Sequence, residues 1–121
     1  MRKYSESHEW VDLDGEIATI GISNHAQTLL GDIAFIELPA IAMAFEQGDP
    51  IGVIESVKSA SDFYAPVGGT VLAINEVIAS QPTDLNGHAE STWLLKLQLK
   101  NKKDLNRLMT DEKYKKSVQT V

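Results

Sequence analysis

The sequence contains no cysteine. This absence excludes structural disulfides, catalytic thiols and thiolate metal sites in the chain itself. Any dithiol chemistry must therefore arrive on an attached group. The lack of competing protein thiols would favour such a group, because thiol–disulfide exchange proceeds by thiolate attack.

Basic residues and long apolar runs are also scarce. The chain has 17 acidic and 11 basic residues, a formal net charge of −6. That balance argues against nucleic acid as a partner and suits transient docking to proteins with basic entrances. The longest apolar region, 33–45, is interrupted by Glu37 and Pro39 and is too short to cross a bilayer, so we expect no membrane partner. The start, Met1-Arg2-Lys3, has no apolar or Arg/Ser-rich presequence, which predicts the cytoplasm rather than the mitochondrial matrix.

The residue patterns of common enzyme sites are missing too. His8, His25 and His88 are scattered and lack the spacing of a helical zinc site. No serine stands in a Gly-x-Ser-x-Gly context, and a single Gly-Gly pair is too sparse for a phosphate-binding loop. We therefore predict a non-catalytic protein without a metal site.

What the sequence does contain is one organising stretch at residues 51–71, IGVIESVKSASDFYAPVGGTV. Its first part is apolar, with Ile51 and Val53 on one face and Ile54 on the other, and it becomes apolar again from Thr70. The small and polar residues in between predict strands joined by tight connections, with Lys58 at or near the tip of a protruding turn. Most surface lysines are simply solvated, so Lys58 needs more than its position to be singled out.

Sequence motifs supply that further argument. The matching residues are Glu55-Ser56-Val57-Lys58-Ser59, Ser61-Asp62, Tyr64-Ala65-Pro66-Val67, Gly69 and Val71, together with Ser7-His8-Glu9-Trp10-Val11 near the start. Through these motifs the chain resembles the glycine cleavage system H proteins, and the resemblance extends over nearly the whole chain. The resemblance implies lipoic acid in amide linkage on Lys58. Biotin carriers usually place methionines on both sides of their lysine, where this chain has Val57 and Ser59.

The same resemblance implies a shuttle with no chemistry of its own. A pyridoxal-phosphate glycine decarboxylase would load an aminomethyl group onto the lipoyl disulfide, and a folate-dependent aminomethyltransferase would unload it. Dihydrolipoamide dehydrogenase would then restore the disulfide. A lipoate ligase, or a lipoyl or octanoyl transferase, would attach the cofactor. The alternatives are a lipoate relay to other lipoyl-dependent proteins, a lipoyl carrier in a separate redox pathway, and a binding module with an unmodified Lys58.

Three further residues match the positions at which H proteins dock the loaded arm: Ser7, Glu9 and Asp62. Our hypothesis is that Glu9 and Asp62 hold the protonated aminomethyl nitrogen by charge-assisted hydrogen bonds. The plainer interpretation is that both carboxylates are solvated surface groups.

The predicted fold is mainly β, a lipoyl-domain-like barrel-sandwich hybrid of two antiparallel sheets in one domain, 1–121. Alternating Ala18, Ile20 and Ile22 predict an early hairpin. A short helix is expected near residues 24–30, capped by Ser23 or Asn24 and ended by Gly31, and a C-terminal helical extension at about 103–118.

The remaining segments are assigned from their apolar patterns. Residues 32–39 are apolar on both faces, which predicts a central strand. We expect a strand at 70–77, a loop at 78–90, and a strand at 93–99 with Trp93, Leu95, Leu97 and Leu99 inward. In the helix, Ala26, Leu29 and Leu30 share one face.

Two places depart from the family pattern. Ala42 stands where the family usually has glycine. The segment from Asn86 to Trp93 is one residue shorter, lacks Pro-Tyr, and has Thr92 in place of a glycine. We expect the second departure to affect partner docking rather than the fold or Lys58.

Overall fold

The structure is a computed structural model that describes residues 2–119, and within them the chain forms two antiparallel sheets. The larger sheet has the order β10-β1-β2-β3-β9-β8-β5, and the smaller has the order β4-β6-β7. The strands are β1 (Arg2–Tyr4), β2 (Glu9–Asp14), β3 (Ile17–Ile22), β4 (Ile33–Glu37), β5 (Ala44–Phe45), β6 (Pro50–Ser56), β7 (Ala60–Tyr64), β8 (Gly69–Ile74), β9 (Leu95–Leu99) and β10 (Met109–Thr110). The helices are α1 (Asn24–Leu30), α2 (Glu76–Ser80) and α3 (Asp111–Gln119). The predicted mainly β architecture with a short helix and a C-terminal helix is confirmed.

The core lies between the inner faces of the two sheets. Ala18, Ile20 and Leu97 are fully buried on the larger sheet, and Ile36 and Ile54 face them from the smaller one. Burying each of these aliphatic side chains contributes about 1.5–3 kcal/mol. The early hairpin is confirmed, because β2 and β3 pair along six positions.

Helix α1 begins and ends as the capping residues predict. Ser23 accepts a hydrogen bond from the Ala26 amide at 3.1 Å, and Gly31 adopts φ +85° at the exit. Ala26 and Leu30 pack against the core, but Leu29 is 62% exposed. The predicted three-residue apolar face is therefore wrong at Leu29, because a two-turn helix meets the sheet along a narrow line.

The strand at 33–37 is not central, as its composition predicted, but lies at the edge of the smaller sheet. Phe35 is 49% exposed on its outer face. The predicted faces of β6 are also wrong, since Ile51 and Ile54 are both buried. An irregularity in the pairing between Pro50 and Gly52 shifts the register, so these two side chains reach the same side.

The predictions for residues 70–99 need three corrections. The strand ends at Ile74, because Asn75 accepts from the Ile78 amide and caps helix α2. The predicted loop at 78–90 contains the end of α2 and two 3-10 turns, Pro82–Leu85 and Ala89–Ser91, with Leu85 and Ala89 fully buried. The late strand starts at Leu95, and Trp93 packs beside the separate aromatic cluster of Tyr4, Trp10 and Tyr114.

The C-terminal extension is helical only in parts. A 3-10 segment, Lys102–Arg107, precedes strand β10, which pairs with β1, and α3 follows. The prediction of a helical tail is wrong at 109–110, because the edge of β1 offers backbone partners to these two residues. The Thr110 hydroxyl accepts from the Lys113 amide at the start of α3.

The segment that departs from the family pattern is well anchored. Asn86 accepts from the Ile33 amide at 2.9 Å, and the Ala89 carbonyl accepts from the Trp10 indole at 3.1 Å. Glu90 accepts from the Tyr4 hydroxyl and from the Asn24 amide at the start of α1. The expectation that the departure leaves the fold intact is confirmed.

Candidate functional site

Lys58 lies in the short turn between β6 and β7, where the sequence predicted it, and both Val57 and Lys58 are exposed. Ser56 fixes this turn, because its hydroxyl accepts from the amides of Lys58 and Ser59, both at 3.1 Å. The Val57 amide donates to the Asp32 carbonyl at 3.1 Å, which ties the turn to the chain that leaves α1. The backbone is thus held firmly while the lysine side chain is left to solvent.

The lysine side chain extends across Gly31 at the end of α1. A β-carbon on Gly31 would stand 2.7 Å from the Lys58 Cε and 3.3 Å from its Nζ. Any larger residue at position 31 would therefore collide with the lysine side chain, and glycine avoids this collision. The φ of +85° at Gly31 also favours glycine. Lys58 therefore reaches from its turn toward the C-terminal end of α1.

A cavity of about 140 Å³ opens between α1 and β7, and we call it the docking cavity. One wall is the turn at residues 5–9, the second is α1, and the third is β7. Its lining residues include Ser7, His8 and Glu9 from the first wall, Ala26, Leu29 and Leu30 from the second, and Ser61, Asp62 and Phe63 from the third. The structure thus brings the sequence-predicted Ser7, Glu9 and Asp62 to one cavity.

The Glu9 carboxylate is buried, with the residue 2% exposed. It accepts hydrogen bonds from the hydroxyls of Ser5 and Ser7, and from the Tyr64 amide at 3.0 Å. Burial raises the pKa of Glu9, and these hydrogen bonds oppose the rise by stabilising the charged form. Glu9 is accordingly a structural acceptor as well as a polar group of the cavity.

Asp62 is exposed on β7, and within residues 2–119 its carboxylate accepts no hydrogen bond. The cavity therefore pairs one buried carboxylate, which already accepts three hydrogen bonds, with one that is available to a ligand. The role of Ser7, Glu9 and Asp62 in arm docking remains a prediction.

This chain is similar to known proteins in both its sequence and its fold. The sequence profile of the family described as Glycine cleavage H-protein matches residues 2–121. The chain belongs to this family. The glycine cleavage system H protein of Thermoanaerobacter sp. (strain X514) is 47% identical over 113 residues, covering 93% of this chain and 90% of that protein. That of Nitrosospira multiformis is 46% identical over 119 residues, covering 98% and 92%.

A solved structure agrees with the sequence comparison. The crystal structure of a glycine cleavage system H protein from Mycobacterium marinum is similar at a TM-score of 0.85 and 26% identity, covering 98% of this chain and 96% of that one. The H-protein resemblance expected from the sequence motifs is confirmed.

The remaining residues of the predicted attachment motif differ in their surroundings near Lys58. Ser56 organises the turn, whereas Glu55 is exposed on the outer face of β6, paired across the strands with Phe35 and Ala60. Val57 and Ser59 flank the lysine and are both exposed.

Sequence reasoning missed His8 as part of the docking cavity. Its Nδ1 lies 2.7 Å from the Tyr114 hydroxyl, and its ring is 4.8 Å from that of His25. Burial lowers the pKa of His8, and the neighbouring His25 adds to the effect. A contact between residues 106 positions apart leaves no local signal in the sequence.

A larger groove of about 890 Å³ lies beside Tyr4, Glu90 and Tyr114. Its arginine and lysine are already paired, Arg2 with Asp12 and Glu90, and Lys115 with Asp111. It is also lined by none of the motif residues around Lys58, so we assign the functional site to the smaller docking cavity.

Residues 2–119 contain neither a grouped set of metal ligands nor a membrane-spanning helix. In this part of the chain no three acidic or histidine side chains are grouped to hold a metal ion. No helix there has the length and apolar character needed to cross a membrane.

Proposed function

We propose that this chain is a lipoylated carrier of the glycine cleavage system, with lipoic acid in amide linkage on Lys58. The observation that carries the proposal is a single exposed lysine on a rigid turn beside a cavity, in a chain of the glycine cleavage H-protein family. In this proposal the protein shuttles an aminomethyl group and catalyses no step itself.

The residues at the site fit such a group. The amine of Lys58 is exposed, so a modifying enzyme can reach it, and amide formation would remove its charge and move the net charge from −6 to −7. A lipoyl group supplies a disulfide that opens to accept a group and is restored by oxidation. The chain has no cysteine and cannot supply that chemistry from its own side chains.

The chain's own residues would position and shelter the arm. Ser56 keeps the turn rigid, and Gly31 leaves a path along the end of α1. Apolar Ala26, Leu30 and Phe63 would exclude water from the docking cavity. The available carboxylate of Asp62, with Glu9 behind it, would attract a protonated nitrogen there.

The proposed partners follow from this role. They are the pyridoxal-phosphate glycine decarboxylase, the folate-dependent aminomethyltransferase, dihydrolipoamide dehydrogenase, and the lipoate ligase or transferase that modifies Lys58. We propose the bacterial cytoplasm as the location, supported by bacterial relatives such as those of Thermoanaerobacter and Nitrosospira.

Intact-mass analysis and reconstitution together test the proposal. Incubation with a lipoate ligase, ATP and lipoate should add one lipoyl mass, and peptide mapping should place it on Lys58. Subsequent incubation with glycine and the purified decarboxylase should add the aminomethyl mass to the same peptide. Lipoylation without the second gain would favour a lipoate relay or a separate redox role, and no lipoylation would favour a plain binding module.

A second experiment tests the docking carboxylates. The lifetime of the aminomethyl mass is compared among the wild type, Glu9→Gln and Asp62→Asn. We expect both substitutions to shorten the lifetime, because each removes a negative charge from the docking cavity. Unchanged lifetimes would defeat the docking role of these two residues.

A further inference from the structure

The residue before Glu9 has an unusual backbone conformation. His8 adopts φ +75°, a left-handed conformation that is unfavourable for residues with a β-carbon. Its amide donates to the Ser5 carbonyl at 3.1 Å, and its carbonyl accepts from the Ser23 amide at 2.9 Å. Because Glu9 follows directly, the conformation of His8 decides where the Glu9 carboxylate points. Strain of this kind persists only where the surrounding structure enforces it.

A short hydrogen-bonded chain enforces it from the side of the C-terminal helix. The Tyr114 hydroxyl lies 2.7 Å from His8 Nδ1 and 2.7 Å from the Ser23 hydroxyl, which itself caps α1. These distances fit a Ser23 hydroxyl that donates to Tyr114 and a Tyr114 hydroxyl that donates to Nδ1, and the reverse direction joins the same three groups. One hydroxyl group thus joins α3, the start of α1 and the turn at residues 5–9.

Tyr114 is itself a fixed point. It is 4% exposed, and its ring stacks on Tyr4 at 4.1 Å between centroids and 5° between planes. Strand β10, immediately before α3, pairs with β1 at Lys3 and Tyr4. Helix α3 cannot shift relative to β1 without breaking this stack. The Tyr114 hydroxyl therefore holds the His8 ring in place.

We propose that Tyr114 is a positioning residue for the docking cavity: through His8 it fixes the turn at residues 5–9, and so sets how long a loaded arm is sheltered. The inference rests on the proposed function for the loaded arm, but its first consequence concerns the unmodified protein. The C-terminal helix is then part of the site, although none of the cavity-lining residues named above belongs to it.

The test compares Tyr114→Phe with Tyr4→Phe in the unmodified full-length protein. Both variants remove one hydroxyl from the same aromatic cluster, but the Tyr4 hydroxyl donates to Glu90 and does not contact His8. Amide hydrogen exchange is followed at Ser23, which donates to His8, and at Tyr64, which donates to Glu9. We expect exchange at these two amides to be about tenfold faster in Tyr114→Phe than in Tyr4→Phe, since one hydrogen bond that closes this region is lost.

The same three proteins are then lipoylated and loaded with glycine and the decarboxylase, and the added mass is followed over time. We expect Tyr114→Phe to lose the load several times faster than Tyr4→Phe and the wild type. Equal exchange at both amides, or equal lifetimes in all three proteins, would overturn the inference. A wild type that never gains the mass would instead contradict the proposed function, so the two failures are distinguishable.

Discussion

Two turns stand beside the same cavity and are built in opposite ways. In the turn that carries Lys58, hydrogen bonds from Ser56 hold only the backbone, and the side chains are exposed. In the turn at residues 5–9 the side chains themselves are engaged. Glu9 is buried with three donors on its carboxylate, and His8 is tied to Tyr114.

In the proposed function, this difference separates the attachment of the arm from its support. An arm that visits several enzymes needs an exposed amine on a firm base, whereas the wall that receives it must stay in one conformation. Substitutions in the first turn should therefore change modification and leave stability alone. Substitutions in the second should change stability first, and the predictions below test this division.

The largest expected effect is on modification. Lys58→Arg should abolish the lipoyl mass gain completely, because the guanidinium does not form the amide. The free energy of unfolding should stay within about 0.5 kcal/mol of the wild type, as for other exposed sites. Lys103→Arg, at another exposed lysine, is the matched control and should be lipoylated in full. Residual lipoylation of Lys58→Arg would show that a different lysine is used.

Next comes the contrast between the two carboxylates of the docking cavity. Glu9→Ala should lower the free energy of unfolding by roughly 2–3 kcal/mol, since it leaves the Tyr64 amide and two hydroxyls without their acceptor. Asp62→Ala, at an exposed residue, should cost less than about 0.5 kcal/mol. Urea denaturation of both variants measures the difference, and equal costs would remove the distinction between the two walls.

A smaller effect depends on pH. Burial lowers the pKa of His8, so the unfolded chain binds this proton more readily than the folded protein. The free energy of unfolding should therefore fall as the pH drops below about 6.5, the ordinary histidine value. The raised pKa of Glu9 acts in the opposite direction, because protonation of Glu9 favours the folded state.

His8→Asn separates the two contributions. Asparagine tolerates the left-handed conformation but does not titrate, so urea denaturation at pH 7.5 and pH 5.5 should show a smaller loss than in the wild type. His25 and Tyr114, which face His8 from α1 and α3, are unchanged in this variant. An identical loss in both proteins would show that the acid sensitivity originates elsewhere.

The parts of the fold that could be predicted from sequence are those with local signals. The early hairpin, the Ser23 cap and the Gly31 exit each depend on neighbouring residues, and each was confirmed. Lys58 was placed in its turn by the polar residues around it. The structure also grouped Ser7, Glu9 and Asp62 at one cavity, although only family resemblance had linked them.

The errors arose where nonlocal pairing decides. Composition made the strand at 33–37 look central, but the strand order places it at the edge of the smaller sheet, and Phe35 lies half-exposed on the face that points away from the core. Strand β10 forms because the edge of β1 is available, although the sequence pattern predicted that residues 109–110 belong to a helical extension. The contact between His8 and Tyr114 likewise joins opposite ends of the chain.

The smallest expected effect concerns a second strained residue, which sharpens the contrast with His8. Ala42 adopts φ +76°, and its amide donates to the Val71 carbonyl at 2.9 Å. Unlike the His8 ring, its methyl group is exposed and holds nothing in place. Glycine would relieve about 1–2 kcal/mol of left-handed strain in the folded protein. It would also lower the stability by about 0.4–1 kcal/mol, because it raises the conformational entropy of the unfolded chain.

Ala42→Gly should therefore stabilise the protein by roughly 0.5 kcal/mol, measured as a higher urea midpoint at an unchanged slope. Thr92→Gly is the matched control, because the family resemblance predicted glycine at both positions. Thr92 has an ordinary φ of −117°, and its hydroxyl donates to the His88 carbonyl at 2.7 Å. Its replacement should destabilise by about 1 kcal/mol. If both glycines stabilised the protein, relief of backbone strain at Ala42 would not be the cause, since Thr92 has none to relieve.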